Sequence, residues 1–203
     1  MRRTRTVLDV SMLPDHVYGP RDVMWWGTLG FMVIEGFTLV LCAVVYVYIG
    51  QNFRDWPPQG TPLPALGVPT VQVALMLVSV PALVWTSRAA HAEDAGRVRI
   101  GLTLATLFGA VFVALRAVEL LVSLGVTWHR NAYGSVQWLV IGAHATLLLI
   151  EFVEVAGMAA IFWLGRAERK HFSDAADLAF YWYFMVGAWI PLYALCFLGP
   201  RWL

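Results

Sequence analysis

The run Val23 to Gly50, VMWWGTLGFMVIEGFTLVLCAVVYVYIG, decides the fold: 28 residues without a proline, in which Glu35 is the one charged side chain. A bilayer core about 30 Å thick is crossed by about 20 apolar residues in a helix, so this run reads as a membrane span. Four more follow at approximately Thr70 to Ala90, Val98 to Gly125, Ser135 to Gly165 and Leu178 to Gly199. The expected fold is therefore all-α, an integral membrane bundle of five transmembrane helices occupying residues 23–203, preceded by an N-terminal segment, residues 1–22.

Composition agrees. The chain is 60% hydrophobic and 13% charged, against about 25% charged in a soluble domain, which excludes a soluble globular protein. A net charge of +1 gives no footing for nucleic-acid binding. Cys42 and Cys196 each stand alone in an apolar run, with no CxxC or CxxCH, so neither a disulfide framework nor thiolate metal binding is indicated.

Five crossings put the chain ends on opposite sides of the membrane. Ten basic residues fall on one side: Arg2, Arg3, Arg5 and Arg21, then Arg88, Arg97 and Arg99, then Arg166, Arg169 and Lys170. The other side has three, Arg54, Arg130 and Arg201. The positive-inside rule then places the N-terminus in the cytoplasm and the C-terminus outside. The Ala-, Val- and Arg-rich composition and the five-helix form suggest a bacterial plasma (inner) membrane. Residues 1–22 lack an apolar stretch before Pro14 and are expected to be retained; Asp9 argues against reading Arg2 and Arg3 as a twin-arginine signal.

The connection Gln51 to Pro69 holds Trp56, Pro57, Pro58, Pro62 and Pro64, a density that favours a stiff, extended segment lying across the outer helix ends. Trp25, Trp26, Tyr46 and Tyr48, and then Tyr181, Trp182, Tyr183 and Trp202, fall where headgroup-level aromatic belts are expected. Gly27, Gly30, Gly134, Gly142 and Gly157 would permit close helix contact, and Pro81 and Pro191 are expected to kink the second and fifth spans.

Function is sought among the polar residues inside the spans. A charge at the centre of a membrane helix costs roughly 2.5–3.5 kcal/mol on insertion scales, so such groups face helices, partners or water. Glu35 falls near mid-membrane, either as a protonated, hydrogen-bonded carboxyl or as a proton-handling group. Arg116 and Glu119, three apart, share a helix face and suit an intrahelical ion pair. His144, Glu151 and Glu154 lie along one face of the fourth span and must meet something polar, a neighbouring helix or a partner chain. With Glu35 and Glu119, acids outnumber the single intramembrane arginine. In the connection between the second and third spans, His91, Glu93 and Asp94 could form a proton-collecting surface or simply a solvated loop. No Glu-x-x-His, HExxH, P-loop or GxGxxG is present, so the expectation is no catalytic residue, no metal site and no redox cofactor in this chain.

These residues resemble subunit III of haem-copper terminal oxidases, the cytochrome c oxidase subunit III family. The run Trp26, Gly27, Phe31 and Glu35 is similar to the family's helix with a mid-membrane glutamate. Trp56, Pro57 and Pro58 with Pro62, Leu63, Val68 and Pro69 resemble its outer loop, and Ser79 with Trp85 its next helix. Glu119 fits its glutamate; Tyr133, Gly134 and Ser135 followed by Gly142 and His144 resemble its penultimate helix; Tyr181, Trp182, Phe184 and Trp189 resemble its last. The resemblance runs from about Val23 to Trp202. The chain departs where family histidines would stand, at Ser87, Arg88, Leu147 and Tyr183, and at Gly187 in place of an aspartate. Arg116, Glu151 and Glu154 have no counterpart in the pattern, which marks a divergent, five-helix member.

The resemblance implies a non-redox accessory subunit of a respiratory oxidase. Haem and copper are then expected in partner subunits, with catalytic subunit I as the principal partner and bound phospholipid and membrane lipids around it. Glu35 and Glu119 would be the buried carboxyls supporting cytoplasmic proton uptake, and His144 a helix-contact residue. Longer members carry two further N-terminal helices that form a lipid-holding cleft with the other five. Competing readings are the equivalent subunit of a nitric oxide reductase, a small proton-coupled transporter relaying through Glu35, Arg116, Glu151 and Glu154, and a membrane metalloenzyme. Transporters commonly show internal repeats, and none is visible here.

Overall fold

A computed structural model describes residues 23–202. The N-terminal segment, with Arg2, Arg3, Arg5 and Arg21, lies outside the described residues. Five long helices follow: α1 Val23–Gly50, α2 Gly67–His91, α3 Ala95–Val118, α4 Ala132–Trp163 and α5 Arg169–Tyr193. All 5 are long and apolar enough to cross a membrane. A π-helical turn, Glu119–Ser123, extends α3, and another, Ala194–Leu198, extends α5 into a short 3₁₀ turn, Gly199–Arg201.

The helices start where local chemistry satisfies their free amides. Asp94 accepts from Arg97 N at 3.0 Å to open α3, and Asn131 from Gly134 N at 2.8 Å to open α4. Glu168 and His171 form a reciprocal capping box at α5, with Glu168 N donating to His171 Nδ1 at 2.8 Å. Beyond α4, Gly165 takes φ +68°, a left-handed turn that stops the helix.

The fifth helix begins at Arg169, not at Leu178 as hydropathy suggests. The polar residues between them wind into an amphipathic first section instead of a loop. Tyr181 to Tyr183 therefore sit about 18 Å along the helix at 1.5 Å per residue, not at its start. Trp182 is buried, and its Nε1 donates to Ser79 Oγ on α2 at 2.9 Å.

Helices α2, α3, α4 and α5 pack around a common core, and α1 lies against α4 and α5. In its most apolar stretch α1 is 11% buried, against 28–39% for the other spans, so it is the peripheral helix. Close helix approach uses glycines other than most of those expected. A Cβ at Gly101 would overlap Thr86, and one at Gly134 the Thr127 carbonyl, whereas Gly27, Gly30, Gly142 and Gly157 face open space. Both α2 and α5 continue as helices through Pro81 and Pro191.

The proline-rich connection does pack across the helix ends. Trp56 sits edge-on to Tyr46 and Tyr133 at centroid distances of 5.5 and 5.1 Å, with a cis peptide to Pro57. Asn131 Nδ2 donates to Thr61 Oγ1 at 2.8 Å, and Arg201 Nη2 to the Pro64 carbonyl at 2.6 Å.

Candidate functional site

Two polar clusters lie inside the bundle. One joins α3, α4 and α5. Arg116 is in the last turn of α3, and Glu119 opens the π-helical turn that follows. Arg116 Nη1 reaches Glu119 Oε2 at 2.6 Å with both side chains buried. The guanidinium also lies over the Trp189 ring, Cζ 3.6 Å from the centroid, and Nη2 is 3.4 Å from His144 Nδ1. His144 Nε2 faces the Met185 carbonyl at 3.2 Å. A neutral imidazole with its proton on Nε2 satisfies both contacts, donating to Met185 and accepting from Arg116.

Toward the proline-loop end, Gln137 Nε2 donates to the Cys196 carbonyl at 3.0 Å. That carbonyl belongs to the π-helical turn after α5, where the α-helical hydrogen-bond ladder is broken and acceptors are released. Glu119 Oε1 and Gln137 Oε1 have no hydrogen-bond partner among the described residues. Nothing in the sequence points to Trp189 as the platform for Arg116. Gln137 could have been found, because Gln137, His144 and Glu151 recur every seventh residue and all three are buried.

The second cluster joins α1, α4 and α5. Tyr181 OH donates to Glu35 Oε2 at 2.5 Å, so a residue expected at the membrane surface answers the glutamate of α1. Glu151 is 1% exposed, and its Oε1 has no hydrogen-bond partner among the described residues. The carboxyls acting on it are Glu154 and Glu35. Glu154 is exposed in a cleft of about 560 Å³, whose walls include Met24, Phe31 and Glu35 of α1, Met158 of α4 and Tyr181 of α5. The polar residues of α4 therefore do not share one environment: His144 joins Arg116, Glu151 is buried near Glu35, and Glu154 opens to the cleft. Partners inside this chain answer one oxygen each of Glu35 and Glu119, whereas no hydrogen bond or ion pair is seen for the buried Glu151 among the described residues.

The connection between α2 and α3 is held by its own charges. Glu93, at φ +52°, pairs with Arg169 Nε at 3.0 Å, Asp94 caps α3 and pairs with Arg97 Nε at 3.2 Å, and His91 Nδ1 contacts the Ser87 carbonyl at 2.7 Å. Both carboxylates stay partly exposed, so their ion pairs are worth about 0–1 kcal/mol each. Among the described residues, no group of 3 or more His, Cys, Asp or Glu side chains is placed to hold a metal ion.

A family model described as cytochrome c oxidase subunit III matches residues 11–199. Curated proteins named cytochrome c oxidase subunit 3 are similar along much of the chain. The one from Polypterus ornatipinnis is 30% identical over 139 residues, 68% of this chain and 53% of that protein. Those from Lycodon semicarinatus and from Synechocystis sp. (strain ATCC 27184 / PCC 6803 / Kazusa) are each 26% identical over 191 residues. They cover 88% and 89% of this chain, and 70% and 78% of their own lengths. The chain thus spans about half the length of the Polypterus relative and rather more of the others.

Proposed function

Because the chain belongs to the cytochrome c oxidase subunit III family, we propose that it is a non-redox accessory subunit of a respiratory haem-copper oxidase. In this reading it sits in a bacterial plasma membrane, N-terminus in the cytoplasm, packed on catalytic subunit I. Haem and copper in the partner subunits supply oxygen reduction, and this chain supplies none of that chemistry. Its contribution is to stabilise the catalytic subunit and to support proton uptake from the cytoplasmic side.

The observation that carries the reading is the family match over residues 11–199, which runs through all five apolar helices and takes in Glu35, Glu119 and His144. The geometry of those residues supports the reading. Arg116 holds one Glu119 oxygen and also reaches His144 of α4 and the Trp189 ring of α5, so the guanidinium ties α3 to both helices. In this reading Glu35, which lines a cleft, is the carboxyl that meets water entering there; its place in the cleft wall supports that role.

Mild solubilisation and capture through this chain tests the proposal. The expected product contains haem-bearing partners, an absorption spectrum of oxidase haems and oxygen-reducing activity. A complex reducing nitric oxide and not oxygen would move the assignment to the nitric oxide reductase equivalent. A functional homomer without haem partners would overturn it in favour of a transporter.

A further inference from the structure

The cleft between α1, α4 and α5 has an acidic side, with no basic side chain among its described lining residues. Its described lining includes Glu35, Glu154, Asp174 and Asp177, with no Lys, Arg or His. Asp174 and Asp177 have interactions of their own. Apolar side chains such as Met24, Phe31 and Ile161 make up much of the remainder. A water takes about 30 Å³ of liquid, so a space of about 560 Å³ is large enough to admit water to its polar side.

Behind that side stands Glu151, and the groups facing it from each packed helix are known. From α1 there is Glu35, from α4 itself Glu154, and from α5 Tyr181, whose hydroxyl feels all three glutamates. Helix α3 offers bases but spends them elsewhere: Arg116 on Glu119 and Trp189, and Arg99 over Trp163 at 6.0 Å. Arg169 of α5 is taken by Glu93. Three carboxyls therefore share a low-dielectric region without a cation among the described residues. With Glu151 buried, Glu35 half-buried and Glu154 exposed in the cleft, three anions there would repel one another and Glu151 would forgo hydration, whereas a shared proton supplies an O–H donor and lowers the charge. A purely structural role would be met at less cost by an apolar residue, because buried ion clusters are weak stabilisers.

We infer that Glu35, Glu151 and Glu154 form one proton-holding cluster, filled through the α1–α4–α5 cleft, with Glu151 as its innermost site and Tyr181 positioning Glu35. The inference deepens the proposed proton-uptake role and rests on it for its physiological use. In each transfer only O–H bonds change. A hydronium ion in the cleft gives its proton to the Glu154 carboxylate and leaves water. Glu154 passes the proton to Glu151 and returns to the anion, and no electron moves. Glu151 and Glu154, like Arg116, have no counterpart in the subunit III pattern, so this would be a property of this chain.

The test uses the intact complex captured through this chain and reads the C=O stretch of protonated carboxyls by infrared difference spectroscopy, titrated in H2O and in D2O. The expected result is a D2O-sensitive band at neutral pH that Glu151→Gln abolishes. Its pH midpoint moves in Glu154→Gln and in Glu35→Gln. If Glu151→Gln fails to assemble, the two midpoint shifts decide, since Glu35 and Glu154 are only partly buried. An unchanged band in Glu151→Gln, or a midpoint indifferent to both neighbours, overturns the cluster. A normal haem-bearing complex without the band defeats this inference alone. A band with the expected shifts in a complex lacking haem partners defeats the oxidase assignment and leaves the cluster standing.

Discussion

The Tyr181 hydroxyl lies 2.5 Å from Glu35 Oε2 and ties the most exposed helix of the bundle to α5. Around it, Trp25 stacks on Phe180 at 5.7 Å and Gly36 faces the Phe184 ring, so this part of α1 is held against α5 by a ring stack, a close approach and the hydrogen bond. Tyr181→Phe removes the hydroxyl and little volume. Interhelical hydrogen bonds in membranes contribute about 0.5–2 kcal/mol, and the loss should be local to α1. Hydrogen exchange is expected to rise in α1 and to stay level in α2 and α3; equal rises in all helices would show that the bond does not anchor α1.

The Arg116–Glu119 pair makes a different prediction, because both partners are buried. Removing one strands the other, at a cost of about 3–5 kcal/mol. Arg116→Met alone should therefore lower stability severely. Arg116→Met with Glu119→Leu should recover most of it, since shape is kept and no charge is left over. Trp189→Phe, which weakens the ring under the guanidinium, is expected to cost about 1–2 kcal/mol beyond lost packing. Chemical unfolding of the four proteins in detergent checks the ordering, and a double variant no better than Arg116→Met would refute the coupling.

At the connection between α2 and α3, Asp94 has a capping duty that any test of proton collection must preserve. Asn caps as well as Asp, whereas Ala loses about 1 kcal/mol. Glu93→Gln with Asp94→Asn is thus expected to assemble normally and to slow oxidase turnover at high pH. Turnover unchanged from about pH 6 to 9, a window spanning the ordinary histidine range, would show a solvated loop and nothing more.

The five helices were legible because hydropathy reports length and composition, and the Arg116–Glu119 contact because three residues of helix fix it locally. Partners across helices were not. Tyr181 reads as an interface aromatic until the polar run Arg169 to Asp177 is seen to be helical, which carries Tyr181 inward to Glu35. His144, Glu151 and Glu154 look like one stripe, yet their offsets turn Glu154 away from the buried line through Gln137, His144 and Glu151. Glycine is equally ambiguous in sequence: whether it marks a close approach depends on the neighbouring helix.

That ambiguity yields a comparison. At Gly101 a methyl group would collide with Thr86, and at Gly134 with the Thr127 backbone carbonyl, which has no rotamer to yield. Overpacking costs about 1–3 kcal/mol, and Gly134→Ala should be the worse of the two. Gly30→Ala and Gly142→Ala meet nothing within 4 Å and should leave the isolated subunit's unfolding unchanged or slightly improved. If either open-space variant nevertheless loses its copurifying partners, that glycine lies in the inter-subunit contact.

The start of α5 should respond to acid. Glu168 caps the helix, and its hydrogen bond and attraction to Lys170, Nζ to Oε2 2.9 Å, hold its carboxyl below the ordinary value of 4.5. A depressed folded value means that the capping contribution is fully present above 4.5 and is lost as pH falls through the lower folded value. The group is fully solvent-exposed, so the effect belongs to the first turn and not to the bundle. Amide exchange at Phe172 and its neighbours, corrected for the intrinsic rate, is expected to accelerate on acidification. Glu168→Gln should be insensitive over the same range, because its amide can still accept from the His171 amide but cannot titrate. Equal acid sensitivity in both proteins would place the titrating group elsewhere.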